Sequence, residues 1–250
     1  MTEASRPQTA DPTDTRLSLV IPVRNEAGNI GPLLDEVFST LPPALLGEVI
    51  VVDDGSSDAT VPEVQARMSP RLRLIRHVTS AGQSRAIRSG VQAARFARIA
   101  TLDGDGQNPP ADLIALAAAQ TASGPQLVGG HRVARRDRWA KRIASRLANG
   151  LRRMLLRDAC PDTGCGLKVF PRDLYLDLPF FHGQHRYLPA LMRAAGATAV
   201  YLPVGDRARR HGRSNYDNLR RGLQGAVDLI AVAWLIRRTR PVKAHEEALP

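Results

Sequence analysis

Cysteine is scarce in this chain of 250 residues, which has two, Cys160 and Cys165. Two thiols are too few for a disulfide framework or a four-ligand zinc site, so we expect a reduced, cytoplasmic protein. Aromatic residues make up 4% of the chain, and few alternate with cations, so no stacking platform for nucleic acid is predicted. No apolar run approaches the ~20 residues of a membrane-spanning helix, and the polar first fifteen residues do not resemble a signal peptide.

Several signature motifs are missing as well. The sequence has no G-x-x-x-x-G-K-[ST], no G-x-G-x-x-G and no G-x-S-x-G. Their absence argues against a P-loop NTPase, a dinucleotide-binding protein and an α/β-hydrolase. His182 and His185 lack the neighbouring Glu of a metalloprotease helix, and we interpret them as ordinary turn or surface residues.

Positive charge is abundant, and it is concentrated in two segments. Residues 131–157 contain ten Lys and Arg against one acid, and residues 206–243 contain ten against three. The whole chain carries a net charge of +11, so the remainder is net negative. Concentrated cations of this kind attract phosphates, anionic lipid headgroups or nucleic acid.

Strand patterns alternate with helix patterns along the chain. Apolar runs predict strands over 17–23, 48–53, 72–76, 98–102, 126–129, 167–170 and 198–203. Between them, periodic apolar positions predict helices over 30–38, with Asn29 as its cap, and over 58–68, 83–94, 112–120, 172–178 and 184–195. This alternation indicates parallel βαβ units, and therefore an α/β, Rossmann-like fold with a mostly parallel sheet flanked by helices.

Two amphipathic helices are predicted in the basic segments. The first carries an apolar stripe from Trp139 to Met154, and the second, over residues 216–236, carries Leu223, Val227, Ile230 and Trp234. A basic amphipathic helix is typical of a membrane surface, although core packing explains part of such a stripe equally well. We expect the second helix to lie on a surface rather than to cross a bilayer.

Two carboxylates follow the fourth predicted strand at a spacing of i, i+2. Asp103 and Asp105 alternate with glycines, and Gln107 and two prolines come next. Because glycine and proline end a strand, these carboxylates should lie at its carboxyl end, where open α/β sheets bind ligands. Hard oxygen ligands on a tight turn suit a Mg²⁺ or Mn²⁺ that also contacts substrate phosphates. Taken alone, a segment of this kind is more often a solvated acidic turn.

Four segments together resemble the family-two inverting glycosyltransferases, which have a GT-A fold. They are residues 20–26 (VIPVRNE), 51–58 (VVDDGSSD), 82–86 (GQSRA) and 102–110 (LDGDGQNPP). Within the family, residues 141–145 (KRIAS), 162–164 (DTG) and 209–214 (RRHGRS) are most similar to polyprenyl-phosphate sugar transferases of the dolichol-phosphate mannose synthase type. The resemblance covers about residues 17–236 and implies a division into a lead-in (1–15), a catalytic domain (16–205), a basic loop with a membrane-surface helix (206–238) and a tail (239–250).

The resemblance implies a role for particular residues. The donor nucleotide would contact Pro22, Val23, Glu26, Asp54, Ser84 and Asp103. A divalent cation, Mg²⁺ or Mn²⁺, would be held by Asp105 and Gln107. The acceptor phosphate would contact Arg132, Lys141, Arg142, Ser145, Arg209, Arg213 and Ser214. The catalytic residues would be Asp103, Asp105, Arg132 and Asp162.

The implied reaction moves a sugar from a nucleotide-diphosphate sugar to a polyprenyl phosphate of the undecaprenyl or dolichyl type. It would take place at the cytoplasmic face of the membrane, with the protein bound peripherally. A phosphate is already ionised at pH 7, so it needs no general base, and in-line attack inverts the anomeric carbon.

Two other interpretations stay open. A sugar or lipid hydroxyl could be the acceptor, and it would need a general base, for which Asp162 is the evident candidate. Alternatively, the basic segments could belong to a non-catalytic protein that binds membranes or nucleic acid, although that gives the Asp103, Asp105 and Gln107 set no purpose.

Overall fold

A computed structural model of the chain describes residues 14–120, 126–133, 150, 152, 154–156, 158–209 and 218–239, with the backbone alone at 218–224. Seven strands form one sheet: β1 (Leu17–Val23), β2 (Leu46–Asp53), β3 (Leu72–Arg76), β4 (Arg98–Thr101), β5 (Gln126–Arg132), β6 (Lys168–Pro171) and β7 (Thr198–Val204). The helices are α1 (Ile30–Thr40), α2 (Thr60–Gln65), α3 (Gln83–Ala93), α4 (Asp112–Ala119), α5 (Arg172–Asp177), α6 (Gln184–Ala194) and α7 (Asn218–Arg238).

The strand order brings several loops to one edge of the sheet. The order is β3-β2-β1-β4-β6-β5-β7, and β1, β2, β3 and β4 run parallel. β6 is antiparallel to its neighbours β4 and β5, while β5 and β7 are parallel. The carboxyl ends of β1, β2, β4 and β5 therefore meet at one edge, and the antiparallel β6 begins at that same edge. Loops distant in sequence are brought together there.

The central strands are buried on both faces because helices cover both sides of the sheet. Every residue of β1 is buried, and its side chains alternate between two clusters. Leu19 and Ile21 pack with residues of α1 and α4, whereas Val20 packs with residues of α3 and α6. This alternation follows from the two-residue period of a strand, and it fixes the register of β1 within the sheet.

One buried carboxylate ties three strands together. Glu48 on β2 is 2% exposed and accepts hydrogen bonds from the Ser18 hydroxyl (2.8 Å), the Arg73 guanidinium (2.8 Å) and the Arg95 backbone N–H (2.7 Å). A buried charge is tolerated only when it is paired and hydrogen-bonded, and Glu48 meets both conditions. The network links β1, β2 and β3 to the segment after α3.

The C-terminal helix packs on the second cluster and leaves an apolar stripe exposed. Val232 and Ala233 are buried, and the Tyr187 hydroxyl of α6 donates to the Gly225 carbonyl (3.0 Å). A different side of α7 bears the three exposed residues Val227 (62% exposed), Ile230 (68%) and Trp234 (60%). Within the described parts of the chain, no helix is both long enough and apolar enough to cross a membrane.

The structure confirms the predicted fold class, with small differences at the ends of elements. β1 and β3 match their predicted bounds, but α2 begins at Thr60 rather than at residue 58. The reason is that the Asp58 carboxylate accepts the Thr60 N–H (3.0 Å) and so stays outside the helix. β5 continues to Arg132 because it pairs along its length with β7. Most of the predicted stripe over 139–154, the first thirteen residues and the tail from 240 lie outside the described residues, and the four-part division stays a prediction.

Candidate active site

A cleft of about 740 Å³ opens at the strand-end edge of the sheet. Its walls come from the loops after β1, β2 and β4, the end of β5, the segment before β6, the segment after β7, and the first turns of α3 and α6. The predicted site residues that line it are Pro22, Val23, Glu26, Asp54, Asp103, Asp105, Gln107, Arg132 and Arg209. Asp162 lies beside the cleft, bonded to Arg132. Five further predicted residues, Lys141, Arg142, Ser145, Arg213 and Ser214, lie outside the described residues.

The two carboxylates after β4 have different surroundings. Asp103 accepts a hydrogen bond from the Gln83 side-chain amide (2.9 Å), whereas Asp105 accepts the backbone N–H of Gln107 (3.1 Å) within its own turn. Burial and the neighbouring charge of Asp105 raise the pKa of Asp103 to about 6. The negative charge here is therefore incompletely balanced by the chain itself, and a cation would relieve it.

Two glycines let the Asp103 turn approach its neighbours closely. A Cβ built on Gly166, just before β6, would lie 2.4 Å from the Asp103 carboxyl carbon. A Cβ on Gly104 would lie 2.5 Å from the Val23 side chain. Since real Cβ atoms do not come this close to other atoms, only glycine permits both contacts. The turn that bears Asp103 and Asp105, here called the acidic turn, is thereby packed between the loop after β1 and the segment before β6.

Asp54 organises the loop that leads into α3. Its carboxylate accepts hydrogen bonds from the Ser80 hydroxyl (2.7 Å) and from the backbone N–H groups of Ala81 and Gly82 (2.8 Å each), and it pairs with His77 Nδ1 (2.7 Å). Burial acts to raise the pKa of Asp54, but these hydrogen bonds outweigh it and the pKa lies below its ordinary value. Asp54 therefore shapes this wall of the cleft while also lining it.

The segment after β7 joins the acidic turn to the loop after β1. The backbone N–H of Arg207 donates to the Gln107 carbonyl (2.8 Å), and the Gln107 side-chain amide donates to the Arg207 carbonyl (3.1 Å). Two residues on, the Arg209 guanidinium bonds to the Glu26 carboxylate. These contacts bring Glu26, Gln107 and Arg209 together at one side of the cleft.

Arg132 and Asp162 form a bidentate ion pair at the end of β5. Nε of Arg132 lies 2.7 Å from one carboxylate oxygen, and Nη2 lies 3.0 Å from the other. The Gly164 backbone N–H also donates to Asp162 (3.1 Å). The hydrogen bonds that Arg132 donates to Asp162, together with the negative charge of that carboxylate, raise the pKa of Arg132 far above its ordinary range, so Arg132 stays charged.

Ser84 was predicted to bind the donor nucleotide, but it does not line the cleft. It is 2% exposed, and its hydroxyl lies 2.7 Å from Nδ1 of His185. The physical reason is its position on the buried side of α3, next to α6. His185 itself lines the cleft, so the interpretation of both histidines as ordinary surface residues is wrong for His185 and holds for the exposed His182.

Several lining residues were missed from the sequence. They are Arg24, Gln83, Thr163, Gly166, Lys168, His185 and Arg186. Lys168 carried the clearest signal, since a lysine inside an apolar strand is unusual. It is 7% exposed, its backbone pairs with Thr101 of the neighbouring strand β4, and its side chain donates to the Cys165 carbonyl. Arg24, Gln83 and Thr163 lie in segments that carry the family resemblance, whereas Gly166, His185 and Arg186 lie in a loop and a helix turn that local patterns do not direct toward a cleft.

The oxygen donors at the acidic turn suit a hard divalent cation. Asp105 supplies a carboxylate and Gln107 an amide oxygen, and beside them lies Asp103, whose pKa is raised by burial and, to a smaller extent, by the charge of Asp105. Within the described residues, no group of three His, Cys, Asp or Glu side chains is arranged to hold a metal alone. Any Mg²⁺ here would therefore depend on substrate oxygens for the rest of its coordination, which is common for Mg²⁺ at phosphate-binding sites.

The fold and the cleft are those of a glycosyltransferase. The family description "Glycosyl transferase family 2" matches residues 18–178, and the chain belongs to this family. The matched residues include the loops after β1, β2 and β4, the turn before β6 and both carboxylates of the Asp103 and Asp105 turn.

Curated relatives and solved structures agree with this assignment. Dodecaprenyl-phosphate galacturonate synthase of Rhizobium johnstonii is 31% identical over 242 residues, which is 93% of this chain and 71% of the relative. Undecaprenyl-phosphate 4-deoxy-4-formamido-L-arabinose transferase of Edwardsiella ictaluri is 30% identical over 234 residues, 91% of this chain and 70% of the relative. Glucosyl-3-phosphoglycerate synthase of Mycobacterium tuberculosis, solved with Mn²⁺, UDP and glucosyl-3-phosphoglycerate, superposes with a TM-score of 0.63 at 20% identity, covering 91% of this chain and 81% of that one. This last similarity establishes a shared fold.

Proposed function

We propose that this glycosyltransferase moves a sugar from a nucleotide-diphosphate sugar to a polyprenyl phosphate, with inversion at the anomeric carbon. The observation that carries the proposal is the cleft itself, where carboxylates and an amide after β4 face cations from β5 and from the segment after β7. The two relatives at about 30% identity are named for transfer to polyprenyl phosphates, which supports the same acceptor class here.

The donor nucleotide would lie against the loops after β1 and β2. Pro22, Val23, Glu26 and Asp54 line this part of the cleft, and the Asp54 hydrogen bonds hold the loop in shape before a ligand arrives. Such preorganisation lowers the entropy cost of binding. Arg24, which stands in the same loop and is exposed, would face the base or the ribose.

Asp105 and Gln107 would hold a divalent cation, Mg²⁺ or Mn²⁺, against the donor diphosphate. When bound, the cation would stabilise the negative charge that develops on the departing nucleoside diphosphate. Asp103, held by Gln83, would lie beside the ribose and diphosphate. The solved structural relative contains Mn²⁺ and UDP, which supports a divalent cation in this fold.

The acceptor phosphate would meet Arg132 and, with the donor in place, Arg209. A phosphate oxygen attacks the anomeric carbon in line, the bond to the nucleotide diphosphate breaks, and the stereochemistry inverts. No proton has to be removed, because the attacking phosphate is already ionised. Arginine suits this task because its planar fork binds phosphate oxygens in pairs and offsets the repulsion between two anionic substrates.

The apolar stripe of α7 supports a peripheral position on a membrane. Val227, Ile230 and Trp234 are exposed on one stretch of the helix, and Arg237 and Arg238 follow at its exposed end. An exposed apolar stripe ending in arginines suits the interface of a bilayer with anionic lipids. The protein would then work at the inner, cytoplasmic face, where nucleotide sugars are found.

A transfer reaction tests the proposal. The purified protein is incubated with Mn²⁺, undecaprenyl phosphate in detergent and a panel of UDP- and GDP-sugars, and mass spectrometry follows the lipid. We expect a lipid-linked sugar phosphate from at least one donor, and none when undecaprenol replaces the phosphate. Transfer to undecaprenol, or to another hydroxyl but not to the phosphate, would support the hydroxyl-acceptor alternative instead.

A further inference from the structure

Five cationic side chains line the cleft, and three of them are already paired within the described residues. Arg132 is bound by the Asp162 carboxylate and Arg209 by the Glu26 carboxylate, while Lys168 donates to the Cys165 carbonyl and lies near enough to Asp103 for the two charges to interact. The remaining two are Arg24 and Arg186. In the described part of the chain neither makes an ion pair, so each presents an uncompensated charge to the cleft. A guanidinium without a counter-charge in a binding cleft is suited to a substrate anion.

The two arginines lie in different walls. Arg24 belongs to the loop after β1, beside Pro22 and Glu26, which is the part of the cleft we assign to the donor nucleotide. Arg186 lies in the first turn of α6 and is half-buried, next to His185. No predicted donor residue belongs to α6. Arg186 is therefore a cation outside the donor wall.

The first turn of α6 is held in register with the acidic turn by two consecutive residues of α3. Gln83 donates to Asp103 (2.9 Å). The Ser84 hydroxyl oxygen lies 2.7 Å from Nδ1 of the His185 ring and accepts a hydrogen bond from the His185 backbone N–H (3.3 Å). Because Gln83 and Ser84 are adjacent on one helix, the position of Arg186 relative to Asp103 is well defined. A group on α6 can therefore orient a substrate relative to the reacting centre.

The same helix is joined to the helix that we assign to the membrane surface. The Tyr187 hydroxyl, one residue after Arg186, donates to the Gly225 carbonyl of α7 (3.0 Å). An acceptor anchored in the bilayer beside α7 would pass α6 on its way into the cleft. Among the described cations that line the cleft, Arg186 is the one that belongs to α6.

We propose that Arg186 binds the phosphate of the polyprenyl acceptor and so sets acceptor affinity. This inference rests on the proposed function. The Arg132 guanidinium is bound to Asp162. Arg186 makes no ion pair within the described residues, so its guanidinium would supply a second positive charge for the acceptor phosphate. The other anion that Arg186 could meet is a carboxylate on an acidic donor sugar, and the experiment separates the two.

The test compares Arg186→Gln with Arg193→Gln, a matched change in the last turn of the same helix at an exposed position outside the cleft. Steady-state kinetics are measured for undecaprenyl phosphate and for the donor separately. Binding of citronellyl phosphate and of inorganic phosphate is measured by calorimetry without any donor. We expect Arg186→Gln to raise the KM and the Kd for the lipid phosphates by about tenfold. The donor KM and the thermal unfolding midpoint should stay at wild-type values.

The outcomes decide the inference. Arg186→Lys should retain part of the affinity, because the charge stays while the paired geometry is lost, and Arg193→Gln should behave as wild type. An unchanged acceptor KM in Arg186→Gln would overturn the inference, as would a rise in the donor KM alone, which would assign Arg186 to the donor. If the wild-type protein transfers no sugar to undecaprenyl phosphate, the proposed function fails, whereas the calorimetry still reports whether Arg186 binds a lipid phosphate.

Discussion

Arg132 and Asp162 are bonded side by side, with N–O distances of 2.7 and 3.0 Å, and both are largely buried. The pair joins the end of β5 to the turn before β6. Both carboxylate oxygens of Asp162 accept hydrogen bonds from the guanidinium of Arg132. In this arrangement Asp162 fixes the orientation of that guanidinium, which under the proposed function meets a substrate anion.

Replacing Asp162 distinguishes a positioning role from a general base. In Asp162→Asn, Arg132 loses its charged partner and its fixed orientation, so we expect the acceptor KM to rise about tenfold. The pH dependence of kcat should keep its shape. Loss of the acidic limb of the pH profile, together with a collapse of kcat, would instead identify Asp162 as the base of a hydroxyl-acceptor enzyme.

Adding one methyl group at Gly166 should disturb the site without disturbing the fold. A Cβ there would lie 2.4 Å from the Asp103 carboxyl carbon, so Asp103 must leave the position in which Gln83 donates to it. We expect kcat/KM for transfer to fall about a hundredfold in Gly166→Ala, because misplacement of about 1 Å near a reacting centre costs that much. Gly225→Ala is the control, since nothing lies within 4 Å of its added Cβ. Wild-type activity in Gly166→Ala would mean that Asp103 does not need this position.

The buried Glu48 network should dominate the stability of the first three strands. Glu48→Ala leaves Arg73 and the Ser18 hydroxyl without their partner, and we expect a loss of about 3 kcal/mol in the free energy of unfolding. Asp35→Ala removes an ion pair with Arg67 whose carboxylate is 61% exposed, and it should cost less than ~1 kcal/mol. Chemical denaturation measures both. Similar losses of unfolding free energy in Glu48→Ala and Asp35→Ala would contradict the claim that a buried ion pair contributes more to stability than an exposed one.

The order of strands and helices could be predicted from the sequence because it depends on local patterns. The bounds of β1 and β3 follow from apolar runs, and α3 begins at Gln83 as its periodicity indicates. Motif resemblance identified Glu26, Asp54, Asp103 and Asp105, all of which line the cleft.

Contacts between distant segments could not be predicted in this way. Gly166 and Lys168 reach the cleft because β6 is antiparallel, and the direction of a short strand is not encoded in its own residues. Ser84 illustrates the same limit of sequence-based prediction. Its side chain faces His185 of α6, which lies 101 residues further along the chain, and the sequence around Ser84 does not encode that contact. Long-range register, rather than local propensity, decides these positions.

The exposed stripe of α7 predicts binding to anionic membranes. Ile230→Asp places a charge in the middle of that stripe, and we expect it to reduce cosedimentation with vesicles of phosphatidylglycerol and phosphatidylethanolamine about tenfold, since burying a charged group in the interface is costly. Ile114→Asp makes the same change at an exposed position on α4 and should bind as wild type. Equal binding of both variants would show that α7 does not contact the lipid.

Sugar transfer to undecaprenyl phosphate by Asp105→Ala is the most direct test of the proposed chemistry. Asp105 has one described hydrogen bond, to the Gln107 N–H of its own turn, so its removal should leave the fold intact. Asp173→Ala, at a carboxylate 86% exposed on α5, is the matched control. With Mn²⁺ and the preferred donor, we expect no lipid-linked product from Asp105→Ala, wild-type yield from Asp173→Ala, and the same thermal unfolding midpoint for both. Product formation by Asp105→Ala at the wild-type rate would contradict a reaction centred on the carboxylates after β4.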